Sequence, residues 1–146
     1  IGNNRPVREA VTAAFTYFGT NARKVLPGIK VSEKDYLLYY GDSQRKGLST
    51  EISLGEFIGL CSALAERSVI ESLAIAGDIK ISGTLAKLTN LEEIFRVCKN
   101  AGAKRVLIPM DCIMDMQSVS RELLSEIQPM LYNDPLDAAR KALDIF

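Results

Sequence analysis

The chain has 146 residues, 18 Lys plus Arg against 18 Asp plus Glu, and no histidine. Zero formal charge leaves no broad electrostatic footprint for nucleic acid or an anionic membrane. The absent imidazole removes the usual general base, the Ser-His and Cys-His pairs and the commonest zinc ligand. Any proton transfer falls to lysine, a carboxylate, tyrosine or cysteine. An apolar fraction of 47% in a chain of this length suffices for one domain with a buried core. No apolar run approaches the roughly 20 residues that span a bilayer. Cys61, Cys98 and Cys112 lie in apolar surroundings without CxxC spacing, as in reduced thiols of a cytoplasmic protein. The opening IGNNRPVREA is no signal peptide and reads as a point inside a longer protein.

Arg5 to Leu26 has helical periodicity, with Val7, Val11, Ala14, Phe15, Phe18, Ala22 and Val25 on one face. Pro6 suits its first turn and Pro27-Gly28 its end. Tyr36 to Tyr40 (YLLYY) reads as a short strand, and Gly41 to Gly47 as a polar turn. Ile52 to Glu66 is the next predicted helix, with an inward stripe of Leu54, Phe57, Ile58, Cys61, Leu64 and Ala65. Ser68 to Ile81 holds a strand that is apolar on both faces, as in a central strand. Leu91 to Asn100 is a helix with Leu91, Ile94, Phe95 and Cys98 inward and Ala101-Gly102 as its stop. Arg105 to Pro109 is a buried strand, and the methionines of Met110 to Met116 read as packing filler. Val119 to Ile127 is a helix and Met130 to Tyr132 a short strand. Asp134 caps a last helix through Leu143, with Pro135 at its first position. From Tyr36 onward the order is β-α-β-α-β-α-β-α, an α/β domain with an at least partly parallel sheet.

Chemistry concentrates where a hydroxyl-rich turn enters the second helix. Ser49, Thr50 and Ser53 sit where a nucleophile or an anion can be held. The same residues are ordinary helix caps, and Glu56 follows Ser53 at the spacing of a capping box. Asp78 reads as a turn or pairing residue, and Lys80 and Lys87 as solvated surface lysines. Arg45-Lys46 is too short for a nucleic-acid patch.

The stretch GDIKISGTLAKLTNLEEIFRVCKNAGAKRVLIP resembles the proteolytic domain of Lon-type ATP-dependent proteases. REAVTAAFTYFGTNA, LCSAL, AGAKRVLIPM and YNDPLDAARKAL are similar more closely still to the C-terminal domain of the Lon-like proteins of bacteriophage-exclusion systems. The resemblance covers nearly the whole chain. It implies an α/β fold of the Lon protease domain-like (ribosomal protein S5 domain 2-like) type, a mixed sheet with flanking helices. It implies that residues 1–146 form a single proteolytic-like domain at the C-terminal end of a larger AAA+ protein, without the family's N-terminal β-hairpin part. It further implies an upstream AAA+ module that binds ATP and Mg, a homo-oligomeric ring of hexameric type, and a polypeptide substrate. This stretch has no Gly-x-x-x-x-Gly-Lys-Ser/Thr loop, so no cofactor is expected on it. No membrane or nucleic-acid contact is expected either.

By the same resemblance the family uses a Ser-Lys dyad, with the serine in a Pro-Ser-Ala-Gly turn and the lysine after Gly-Gly-Leu. Anchored on SALAERSV, the serine position falls on Thr50 or Glu51 according to a one-residue gap; a local shift brings Ser49 or Ser53 there. Thr89-Asn90-Leu91 matches Gly-Gly-Leu, so the base falls on Glu92, and a family threonine before Gly-Glu falls on Ala76. A carboxylate is a weaker base than a desolvated amine and sets negative charge beside the developing oxyanion. Lys87 is the remaining nearby amine. Three expectations follow: a degenerate dyad in a domain kept for ring assembly; a working serine endopeptidase using Ser49, Thr50 or Ser53 with Lys87; or a Lon fold reused as a docking surface with an exposed apolar patch. A working dyad needs an amine within about 3 Å of a hydroxyl. A degenerate one has Glu92 in that region or salt-bridged elsewhere, and hydroxyls bonded to backbone amides.

Overall fold

Small residues dominate the inward face of α1 (Arg5–Val25), where Ala10, Ala13, Ala14 and Ala22 are buried beside Val7, Phe18 and Val25. The alanines let the helix lie close against α2 (Ser53–Ala65), which buries Leu54, Phe57, Ile58, Leu60, Cys61 and Leu64. The structure is a computed structural model that describes residues 5–28, 30, 31, 35, 36 and 52–145. Helix α1 stops at Val25, and Gly28 at φ +85° turns the chain away.

Three parallel strands, β1 (Leu73–Ile75), β2 (Arg105–Pro109) and β3 (Gln128–Tyr132), lie in the order β1-β2-β3. The register pairs Ile75 with Leu107 and Leu107 with Met130. Helices α3 (Leu91–Asn100), α4 (Arg121–Glu126) and α5 (Pro135–Ala142) connect and follow them. The alternation of β2 divides the core. Leu107 joins Phe18, Phe57 and Tyr132 under α1, α2 and α5, while Val106 and Ile108 join Phe95, Leu123 and Ile127 under α3 and α4. The central strand, buried on both faces, is thus β2, whereas the run read as central from the sequence, Ser68 to Ile81, supplies β1 at the edge of the three described strands, with its residues half-buried.

Most predicted elements are present, with differences that have local causes. The strand expected within Ser68 to Ile81 is only three residues long, because the chain leaves the sheet at Gly77 to meet α2. Ile79 then pairs antiparallel with Leu85 across a turn containing Gly83 at φ +86°. Of the expected Tyr36 to Tyr40 strand, Tyr36 is irregular. Its ring stands edge-on to Phe15 and Phe18, and its hydroxyl donates to the Val31 carbonyl at 2.8 Å. Leu37 to Tyr40 and the Gly41 to Gly47 turn lie outside the described residues. Asp134 caps α5 as read, its Oδ1 accepting from the Asp137 N–H at 2.8 Å with Pro135 next in line. Helix α4 is shorter than Val119 to Ile127, since Ser120 caps it by accepting from the Leu123 N–H. The methionines after β2 are not simply filler: Met116 is half-buried, but Met110 and Met114 are exposed on two short 3-10 turns.

Candidate active site

The first turn of α2 meets the chain leaving β1, and Ser53 is where they join. Its side chain is fully buried. Oγ accepts from the Ile79 N–H at 2.7 Å and lies 3.5 Å from the Gly77 carbonyl, to which it donates. The same carbonyl receives the Leu54 N–H at 3.2 Å. Gly77 leaves no room for anything larger. A Cβ there would stand 2.6 and 2.9 Å from Leu54 Cδ2 and Cβ and against Tyr132 Oη. Tyr132 Oη donates to the Ala76 carbonyl at 2.8 Å. Ala76, where the family resemblance puts a threonine, is thus held through its backbone. Ser53 is not the helix cap predicted from its spacing to Glu56. The cap position is Ile52, which makes no side-chain cap bond, and the Ser53 oxygen serves a backbone amide 26 positions away. Ser49 and Thr50 lie outside the described residues.

The other half of the expected dyad lies around the start of α3. Asn90 holds a left-handed conformation, φ 56° and ψ 48°, at a position the resemblance gives to glycine. Asparagine is among the few other residues that adopt it readily. Glu92 follows in the first turn, where a carboxylate suits the helix dipole. Its two oxygens are engaged: Oε1 accepts from Arg96 Nη2 at 2.9 Å and Oε2 from the Ser120 N–H at 2.9 Å. Since Ser120 caps α4, Glu92 ties one helix start to another. Lys87 Nζ lies 3.2 Å from Asp115 Oδ2, with its side chain 67% exposed. Lys80 pairs with Asp78 at 2.8 Å. Thus Ser53 bonds to backbone at Gly77 and Ile79, Lys87 pairs with Asp115, and Glu92 pairs with Arg96 and Ser120.

The buried tyrosines and thiols among the described residues are held protonated at neutral pH. Burial, then the nearby Asp134 and Cys61, push the Tyr17 hydroxyl up to about 12. Burial pushes the Cys61 thiol up to about 12 and also raises Tyr132, Cys98 and Cys112. Among the described residues no group of three His, Cys, Asp or Glu side chains could hold a metal ion. No helix among them is long and apolar enough to cross a membrane. Sequence reading missed the Ser53–Ile79 bond, which only the fold brings together. The Glu92–Arg96 pair carried a signal, opposite charges four apart on one helix.

The chain is similar to the Lon-like protease BrxL of Bacillus cereus (strain H3081.97), 34% identical over 99% of this chain and 21% of that protein. The Lon-like protease BrxL of Escherichia coli O9:H4 (strain HS) matches with the same identity and coverage. Lon protease 1 of Syntrophobacter fumaroxidans (strain DSM 10017 / MPOB) is 29% identical over 94% of this chain and 17% of that protein. The chain thus spans about a fifth of the length of the curated relatives it matches. The Lon protease (S16) C-terminal proteolytic domain matches residues 4–144, and the chain belongs to that family.

Proposed function

We propose that this domain keeps the Lon proteolytic fold with a degenerate Ser-Lys dyad and serves mainly in ring assembly of a larger ATP-dependent protein. The observation that carries the reading is Glu92. It stands where the resemblance puts the lysine, and both carboxylate oxygens are engaged by Arg96 and Ser120. A carboxylate so engaged cannot take a proton from a serine as a neutral amine would. The buried, backbone-bonded Ser53 supports the same reading from the hydroxyl side. To this reading the family resemblance adds an upstream AAA+ module that binds ATP and Mg, a cytoplasmic location and a hexameric ring. The two BrxL relatives favour bacteriophage exclusion as the process. The second reading is an ATP-dependent serine endopeptidase acting on polypeptides through Ser49 or Thr50 with Lys87. It draws on the exposed Lys87 amine, which a surface ion pair alone does not immobilise.

Peptide hydrolysis by the full-length protein with ATP and Mg²⁺ separates the two. The expected result is no cleavage above background across a broad peptide set. Cleavage that disappears in Lys87→Ala, or in Ser49→Ala combined with Thr50→Ala, with folding unchanged, would establish the endopeptidase and overturn the first reading.

A further inference from the structure

An edge strand offers its unpaired N–H and C=O groups to any other strand that meets it. Among the described residues no strand lies beyond β3. Which of its groups face outward follows from the register. The Gln128 N–H donates to the Lys104 carbonyl at 2.9 Å, so Gln128, Met130 and Tyr132 turn their backbone groups towards β2. Pro129 and Leu131 therefore turn theirs away from the sheet. The strand reads Gln-Pro-Met-Leu-Tyr, without a charge, and is half-buried at its centre. Such a segment pairs readily where its edge is open.

Each outward position lacks one of its two groups. Proline at 129 has no N–H to give. The Leu131 carbonyl is occupied, because Lys141 Nζ reaches it from α5 and donates at 2.7 Å. Just past the strand, the Asn133 N–H donates to Asp137 Oδ2 at 3.0 Å. The same oxygen accepts from Lys141 Nζ at 2.9 Å. One carboxylate thus occupies an amide at the strand's exit and holds the lysine that occupies the strand's carbonyl. Both side chains are only partly exposed, 33% for Lys141 and 27% for Asp137, so the pair is sheltered from full exchange with water.

What is left does not carry a ladder. An antiparallel partner needs residues that exchange both an N–H and a C=O with the residue opposite. Pro129 offers only its carbonyl and Leu131 only its N–H. A parallel partner finds one bridge, from the Pro129 carbonyl to the Leu131 N–H, and then meets the Lys141 ammonium.

We propose that Pro129 and Lys141, the latter held by Asp137, close the β3 edge to strand addition, so that copies of the domain do not join their sheets there. The closure is independent of the ring-assembly reading. In a ring it means that neighbouring domains meet without a sheet continuing across β3.

The test is made in the full-length protein. Pro129→Val combined with Lys141→Ala restores the missing donor and frees the carbonyl. Particle mass is followed by light scattering against concentration, amide hydrogen exchange is read over residues 128–132, and urea unfolding checks that the variant is folded. The expected result is a mass that about doubles or more as concentration rises, with exchange over 128–132 slowing as the particle grows. Lys141→Arg, which keeps a cation for the carbonyl, stays at the wild-type mass; growth there would overturn the role of the cation. A folded double variant that keeps the wild-type mass overturns the proposal. So does growth without slower exchange over 128–132, which puts the new contact elsewhere. Where the double variant does not fold, Lys141→Met, which keeps the apolar stem on α5 and frees the Leu131 carbonyl, is read for the same two quantities with the same outcomes deciding.

Discussion

The two halves of the expected dyad have opposite environments. Around Ser53 everything is buried and bonded to backbone: Oγ to the Ile79 amide, the Gly77 carbonyl to α2, Tyr132 to the Ala76 carbonyl. Around Lys87 and Glu92 the bonds lie at the surface and run mainly through charge, to Asp115 and Arg96, with one to the Ser120 amide. A buried hydroxyl that satisfies an amide is an architectural joint, whose loss orphans a donor with no water to replace it. A surface ion pair trades readily with water and salt. The hydroxyl side therefore resists change, while the basic side can be rebuilt with little penalty, which fits a chain with a carboxylate where the resemblance puts lysine.

That contrast can be broken by substitution, and the effects should fall in order. Gly77→Ala comes first: its Cβ meets Leu54 and Tyr132, so destabilisation of about 3 kcal/mol or outright misfolding is expected by urea unfolding. Ser53→Ala should cost about 2 kcal/mol, because the Ile79 N–H is left buried without its acceptor. A loss below about 0.5 kcal/mol would mean that the joint is not what holds α2 to this turn. Glu92→Lys releases Arg96 and the Ser120 amide and should cost about 1 kcal/mol, with no gain of peptidase activity. Restored peptidase activity in that variant would show that only the base was missing.

Asp137 calibrates a half-buried carboxylate by pH. Burial alone would raise it, but bonds from Lys141 and the Asn133 N–H, with the charges of Lys141 and Arg140, hold it below its ordinary value. Its contribution is therefore present above the unfolded pKa and lost as pH falls through the lower folded one. Asp137→Asn should cost less than about 1 kcal/mol at neutral pH, and the difference should shrink as pH falls below the ordinary carboxylate range, read from urea midpoints at each pH. The smallest effect is expected of Lys87→Ala, within about 0.5 kcal/mol, as for any exposed pair.

How much the sequence disclosed depended on how local the cause was. The cap of α5 was legible in Asp134-Pro135, and the end of α3 in Gly102, which sits at φ +88°. The double-sided burial of β2 was legible in Val-Leu-Ile. The brevity of β1 was not, because what ends it is the docking of Gly77 against Leu54 and Tyr132, residues far away in sequence. The role of Ser53 was misread for the same reason: spacing to Glu56 suggested a cap, while its partner is Ile79. The exposure of Ile113 and Met114 was also invisible, since composition cannot tell a core methionine from one held outward by the turns around it.

Helix α5 has a consequence for how the chain is made. Ala138, Ala139, Ala142 and Leu143 complete the core shared with α1 and α2. Arg140 donates to the Lys24 carbonyl, and the Ile70 N–H to the Ala142 carbonyl. Among the described elements, the last to emerge from the ribosome thus closes over the first. While residues 134–145 are still in the exit tunnel, Phe18 and Phe57 lack their final cover. Folding during synthesis then waits for α5 to clear the tunnel, and the nascent domain needs shielding until it does.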